Sequence, residues 1–168
     1  MRALVIGAGG FVGQYLLRHL LDQGDSVIAT TNTGTGGLGG YEAYDLDITD
    51  AQATTDLILK IRPDVVYHLA AIAFVPQAES DFQGTLAVNV AGTAQIVQEC
   101  LKVPGRRLVF ASSCAVYPIH PTAPLTEEMA TPGQTPYALS KRASEDTLNI
   151  FAELKGLNAC SLRCFNIY

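Results

Sequence analysis

No run of basic residues longer than the pairs Arg106-Arg107 and Lys141-Arg142 occurs in the sequence, and the net charge is −5. A protein that grips nucleic acid carries a basic patch or stripe, so nucleic acid is excluded as a partner class. No stretch stays apolar for the roughly 20 residues a bilayer crossing needs, which excludes a membrane-spanning role. The sequence opens directly on Arg2–Ile6, which reads as a first strand running into a glycine turn, so no presequence is expected. Without a presequence, the expected location is the cytoplasm. Cys100, Cys114, Cys160 and Cys164 show neither C-x-x-C nor Cys/His spacing, so no structural metal is expected. Cys160 and Cys164 fall in one expected strand, where four residues span about 13 Å, too far for a disulfide. The thiols are therefore expected to be reduced and mostly buried. There is no internal repeat and no long linker.

What is present points to a single layered domain. Hydrophobic residues make up 48% of the 168 positions against 16% charged, with 15 glycines, a balance that suits a buried sheet wrapped by helices and not a disordered chain. Apolar runs rich in Val, Ile and Leu alternate with segments of helical period, the signature of βα units and a parallel sheet. Strands are predicted near 2–7, 26–30, 41–45, 64–69, 106–112 and 158–163. Helices are predicted near 11–23, 50–61, 80–102 and 135–155, the last capped by Thr135 and opened by Pro136. The order suits an α/β, Rossmann-type doubly wound parallel sheet flanked by helices, whose ligands bind beyond the carboxyl ends of the strands.

Three segments stand out. Residues 31–40 hold five glycines and read as a surface loop after the second strand, placing Asn32 near a ribose. Residues 113–135 form an irregular stretch punctuated by Pro118, Pro121, Pro124 and Pro132, either an active-site loop or a structural connection. The helix expected at 80–102 has almost no polar face; a subunit interface would cover it, and so would burial within one chain.

Two patterns carry chemistry. Gly7, Gly10 and Gly13 are spaced G-x-x-G-x-x-G between a strand and a helix, the context of a pyrophosphate site. The first glycine permits the tight turn, the second the approach of phosphate, and the third close helix packing. The helix N-terminus at Phe11, Val12 and Gly13 then faces the anion. Glycines kept only for packing would look the same. At the end of the second strand, Ala29-Thr-Thr-Asn32 offers neither a carboxylate for a ribose 2′-hydroxyl nor an arginine for a 2′-phosphate, so NAD and NADP both stay open. Asp47 and Ile48 could meet the adenine; a solvated turn beside the helix cap is the other reading.

The second pattern is Tyr137-Ala-Leu-Ser-Lys141. Residues at i and i+4 share a helix face, which brings the lysine ammonium towards the phenol. A tyrosine that exchanges protons near neutrality needs its pKa lowered by about 3 units, roughly 4 kcal/mol. One cation at about 4 Å in an effective dielectric of about 20 supplies that much. Taken alone, the pair also fits two residues sharing a helix face by chance.

With His68-Leu-Ala-Ala71, Asn89-Val-Ala-Gly-Thr93, Ser112-Ser-Cys-Ala-Val-Tyr117 and Arg163-Cys-Phe-Asn166-Ile-Tyr168, these motifs resemble the extended short-chain dehydrogenase/reductase family. The branch is that of the NAD(P)-dependent nucleotide-sugar epimerases, dehydratases and reductases, and the resemblance covers the whole chain. It implies Ser113, Tyr137 and Lys141 as the catalytic set, with Tyr137 the acid/base and Lys141 lowering its pKa and binding the nicotinamide ribose. It implies cofactor contacts from Asp47, Ile48, Leu69, Ala70, Ala71, Asn89 and Phe165, and substrate contacts from Ser113 and Asn166. His68 reads better as a packed core histidine, and Ser112 is the weaker candidate beside Ser113. Family dehydratases carry an Asp-Glu pair after the catalytic hydroxyl residue. Cys114 and Ala115 stand there instead, which leaves a 4-epimerase or a 4-ketoreductase. The opening residues are most similar to GDP-4-keto-6-deoxymannose reductases.

The family continues after a segment like Phe165-Asn-Ile-Tyr168 into a C-terminal substrate domain. Residues 1–168 are accordingly expected to be the NAD(P)-binding part of a longer enzyme, acting as a homodimer on a nucleotide-sugar. Two rivals remain, a non-catalytic NAD(P)-binding redox sensor and a ketoreductase acting on a non-sugar substrate.

Overall fold

The computed structural model describes residues 1–120 and 123–168; Pro121 of the irregular stretch lies outside them. Six parallel strands stand in the order β3-β2-β1-β4-β5-β6: β1 Arg2–Ile6, β2 Ser26–Thr31, β3 Glu42–Asp45, β4 Val65–His68, β5 Arg107–Ser113 and β6 Asn158–Cys164. The strand order reverses between β1 and β4, whose register pairs Ala3 with Val65 and Ile6 with His68. Central β1 is buried on both faces from Ala3 to Ile6, which is why it reads as an unbroken apolar run rather than an alternation.

The period-2 alternation of side chains sorts that run onto two cores. Leu4 and Ile6 join Ile28, Val66, Leu108 and Phe110 beneath helices α2 (Ala51–Ile61), α5 (Thr93–Leu101) and α6 (Pro136–Lys155). Ala3 and Val5 join Val27, Ala29 and Val65 beneath Leu17 and Leu20 of α1 (Phe11–Asp22). Each fully buried Leu, Ile or Phe contributes about 1.5–3 kcal/mol, and truncating Phe110 to alanine would cost about 3–5 kcal/mol.

The helix ends follow their sequence signals. Thr135 accepts the Ala138 N–H at 3.1 Å with Pro136 in the first turn, and Asp50 accepts the Ala53 N–H at 2.9 Å. α2 ends on Arg62 in the left-handed region (φ 50°), immediately before Pro63. α6 ends on Gly156 (φ 68°).

The apolar segment expected as one helix over 80–102 is built differently. It is preceded by an unforeseen short helix, α3 (Val75–Ser80), and restarts at Asp81, whose carboxylate accepts the Gly84 N–H at 2.9 Å to cap α4 (Phe82–Leu86). The helix then widens into a π-helical segment over Ala87–Gly92 before α5. The widening goes with two side-chain bonds to one carbonyl: the Asn89 carbonyl accepts the Thr93 hydroxyl at 2.6 Å and the Ser144 hydroxyl at 2.7 Å. Side-chain donors of this kind compete with the regular backbone ladder. Helices α2 and α6 of the same chain pack against this element, so burial within the chain covers much of the surface for which a subunit interface was the other expectation.

Candidate functional site

The turn after β1 folds over the end of β4. Gly7 sits at φ +85°, and a Cβ there would lie 2.5 Å from the Ala70 nitrogen. At Gly13 a Cβ would lie 2.6 Å from Ala8, which explains how closely α1 approaches the strand. Gly10 is different: a Cβ would meet only the Gly7 carbonyl at 3.4 Å, so its outer side is open. Gly10 is also the N-cap of α1 and supplies no side-chain cap. The first-turn N–H groups of α1 are therefore free to bind an anion at the positive end of a helix.

A cleft of about 610 Å³ opens at this point. It brings together Gly7, Gly10, Phe11, Val12, Gly13, Asn32, Asp47, Ile48, Leu69, Ala70 and Ala71; Lys141, expected at the nicotinamide ribose, is not in its lining. The carboxylate of Asp47 accepts the Thr49 N–H at 2.9 Å and hydroxyl at 2.7 Å, fixing the turn. The residues present fit a dinucleotide: a donor-lined anion cradle over a glycine turn, then an elongated cleft with one carboxylate and neither Lys nor Arg in its lining.

Asn89 lies behind the cleft, fully buried. Its amide oxygen accepts the Ile72 N–H at 2.8 Å, and its amide nitrogen donates to the Ile72 carbonyl at 3.1 Å and the Ser140 hydroxyl at 2.9 Å. Ser140 in turn donates to the Tyr137 carbonyl at 2.7 Å. One amide thus ties the cleft wall after β4 to the first turn of α6. His68 is a core residue, as expected: its Nε2 bonds the Thr93 hydroxyl at 2.9 Å. Thr93 gives its own proton to Asn89, so His68 Nε2–H is the donor and buried Nδ1 has no partner among the described residues. Burial, with Lys141 nearby, pushes the imidazole pKa down to about 3.

Ser113, Tyr137 and Lys141 gather around the last residues of β5. The Ser113 hydroxyl accepts the Ala115 N–H at 3.1 Å and sits close enough to the Tyr137 phenol to favour its ionised form. Ser112 points elsewhere, to Glu145, which favours Ser113 over it. The Lys141 ammonium departs from the expected geometry. It donates to the Ala111 carbonyl at 2.8 Å and lies 4.8 Å over the Phe110 ring, not on the phenol. Burial pushes the Lys141 pKa down to about 8, opposed by Cys164 and Glu145. Burial raises the Tyr137 phenol, against the lowering by Ser113, and the Cys114 and Cys164 thiols add to the rise. The lowered tyrosine that the i,i+4 spacing suggested is therefore corrected, because desolvation outweighs the polar neighbours.

Two candidates lie apart from both the cleft and the Ser113–Tyr137–Lys141 group. Phe165 is 61% exposed and borders a separate hollow with Arg163 and Leu162, and Asn166 is exposed beside it. Beyond Cys164 the chain leaves the sheet, and no described element packs over these residues. Sequence reasoning also missed Glu145 and the side chain of Arg163. The signal was there, since a glutamate four residues after Lys141 continues the same helix face inward.

A doubly wound sheet with an anion cradle at its β1–β4 switch point, flanked by Ser113 of β5 and by Tyr137 and Lys141 of α6, defines a Rossmann-type nucleotide-binding domain. The pattern of the NAD dependent epimerase/dehydratase family matches residues 3–168, and the chain belongs to that family. UDP-glucose 4-epimerase of Mycolicibacterium smegmatis is 32% identical over 178 residues, covering 100% of this chain and 56% of the relative. The solved UDP-glucose 4-epimerase of Thermotoga maritima with UDP-glucose superposes with a TM-score of 0.94 at 27% identity, over 100% of this chain and 56% of that one. That of Thermus thermophilus in complex with NAD gives 0.90 at 32% identity, over 97% and 54%. The chain thus spans about half the length of the curated relatives it matches. Among the described residues no helix is long and apolar enough to cross a membrane.

Proposed function

We propose that this domain serves an NAD-dependent 4-epimerase acting on a UDP-linked sugar, with residues 1–168 as its nucleotide-binding part. The observation that carries the reading is the placement of Ser113, Tyr137 and Lys141 at the end of β5, one strand from the end of β4 that walls the dinucleotide cleft. When bound, the nicotinamide supplies a two-electron hydride acceptor and donor. The chain supplies the proton chemistry. Tyr137 takes the proton of the sugar 4-hydroxyl and returns it, Ser113 hydrogen-bonds the same oxygen, and Lys141 holds positive charge beneath them. Cys114 and Ala115 beside Ser113 offer no carboxylate for elimination, so dehydration is not part of the reading.

NAD is favoured over NADP. A 2′-phosphate would bring nearly two negative charges into a cleft whose one charged lining residue is Asp47. The relatives named above are epimerases, which favours internal redox over net reduction and moves the reading away from the reductases that the opening residues resemble. A homodimer belongs to the same reading, seated on the exposed Leu139, Ile150 and Leu154 of α6; sedimentation at the mass of one chain would remove it.

The test is interconversion of UDP-glucose and UDP-galactose by the whole protein without added NADH. NADH consumed one for one with a nucleotide-linked 4-keto sugar, with no interconversion of the two hexoses, would point to a 4-ketoreductase instead. Tyr137→Phe is expected to keep cofactor binding and lose turnover, and an active variant would refute the acid/base assignment.

A further inference from the structure

Behind the Ser-Tyr-Lys cluster lies a buried ion pair that the proposed chemistry does not use. Glu145 follows Lys141 by one turn of α6 and is almost fully enclosed. Its carboxylate accepts the Ser112 hydroxyl and two arms of Arg163, Nε at 3.1 Å and Nη2 at 2.8 Å. Nη1 of Arg163 donates to the Tyr117 hydroxyl at 3.1 Å and the Glu127 carbonyl at 3.0 Å, and the guanidinium lies 4.9 Å over the Tyr117 ring. Ser112 and Arg163 are register neighbours on β5 and β6, so one carboxylate clamps both strands to α6. The fork also holds the chain that leaves Ser113. Four segments meet here: the end of β5, the end of β6, the loop after β5, and the helix that carries Tyr137 and Lys141.

We propose that the Glu145–Arg163 pair is a positioning device for the reacting set, fixing Ser113 against Tyr137 by anchoring Ser112. This rests on the reading of Ser113, Tyr137 and Lys141 given above. Ser112 and Ser113 point to opposite faces of the strand, so holding one aims the other. A buried ion pair is a weak way to stabilise a fold compared with apolar packing, because both charges lose water; its geometric precision is what apolar side chains cannot supply. The pair also acts on charge. Lys141 is faced by Glu145 on its own helix, Cys164 on β6, Tyr137 one turn back and the neutral His68 on β4. Removing the Glu145 charge leaves Arg163 unbalanced, and both changes favour loss of the Lys141 proton.

The experiment compares Ser112→Ala, Glu145→Gln and Arg163→Lys with Tyr137→Phe in the whole protein, reading circular dichroism, NAD affinity, kcat, KM and the pH–rate profile. Expected are folded variants that bind NAD normally, with kcat down by about 10–100-fold at unchanged KM. In Glu145→Gln the alkaline limb moves to lower pH; in Arg163→Lys, which keeps the charge and loses the fork, it stays. Wild-type kcat and pH profile in folded Glu145→Gln overturn the proposal. If Glu145→Gln does not fold, Ser112→Ala decides, since it leaves the ion pair intact, and wild-type kcat there overturns it. A dead Tyr137→Phe beside unimpaired Ser112 and Glu145 variants removes only the positioning role. An active Tyr137→Phe removes the reading beneath it as well.

Discussion

Gly7 and Gly10 stand three residues apart in one turn, yet substituting each should do opposite things. At Gly7 an alanine must occupy φ +85° and place its Cβ 2.5 Å from the Ala70 nitrogen and 2.7 Å from its Cα. The left-handed conformation costs about 1–2 kcal/mol and an overpacked backbone contact about 1–3 kcal/mol. Because Ala70 belongs to the next strand's end, neither atom can swing aside like a flexible side chain. The sum, roughly 2–5 kcal/mol, corresponds to a melting temperature lower by about 4–20 °C in a chain of this size. Gly10 has φ −72° and an added Cβ meets nothing nearer than 3.4 Å. Gly10→Ala should therefore melt within a degree or two of wild type. Its methyl group projects where phosphate must approach the α1 N-terminus, so NAD affinity should fall by about tenfold or more, near 1.4 kcal/mol. Thermal melting without cofactor and fluorescence titration with NADH read the two effects separately. A Gly7→Ala protein with wild-type melting would refute the close approach of β1 to β4, and a Gly10→Ala protein with wild-type affinity would refute the anion cradle.

Further expectations concern the groups around that cleft. Asn89→Leu strands the Ile72 N–H and carbonyl, each at about 1–3 kcal/mol, and urea unfolding should show the loss. A folded-state His68 pKa depressed to about 3 means stability is full above the unfolded value near 6.5 and declines as pH falls below it. The slope is about 1.4 kcal/mol per pH unit, and His68→Gln should flatten the unfolding free energy between pH 6.5 and 4. NAD should bind more tightly than NADP, and Asn32→Arg should raise NADP affinity by about 10–100-fold through a charge-assisted bond; equal binding of both by the parent chain would contradict the charge argument.

The strands and the cleft were legible because the features that make them are local. Runs such as Ala3-Leu-Val-Ile6 and Leu108-Val-Phe110 need only burial on both faces, and the turn after β1 needs only its glycines. What the sequence concealed was set by partners far along the chain. The widening at Asn89 goes with a bond to its carbonyl from the hydroxyl of Ser144, 55 residues away. No periodicity argument can find that, since the apolar spacing from Leu86 to Val97 fits an unbroken helix equally well. The break at Asp81 could have been read from Asp-Phe-Gln-Gly84: the aspartate caps a helix, and a Cβ at Gly84 would lie 2.1 Å from its carboxylate.

The Tyr137–Lys141 pair shows what spacing leaves undetermined. A shared helix face brings two side chains within reach of each other, but Lys141 is long enough to choose among acceptors, and the sheet offers it one. β5 ends with its Ala111 carbonyl aimed at α6, and a buried ammonium must satisfy its donors wherever it can. The lysine therefore anchors the helix to the strand that carries Ser113. With Glu145 doing the same one turn later through Ser112, the two consecutive inward positions of α6 both grip the end of β5. The distance between Ser113 and Tyr137 is then set by backbone elements locked at two points, and not by the direct attraction of a lysine for a phenol. On the proposed reading, the lysine would support proton exchange at Tyr137 from the position in which it holds α6 to the strand that carries Ser113.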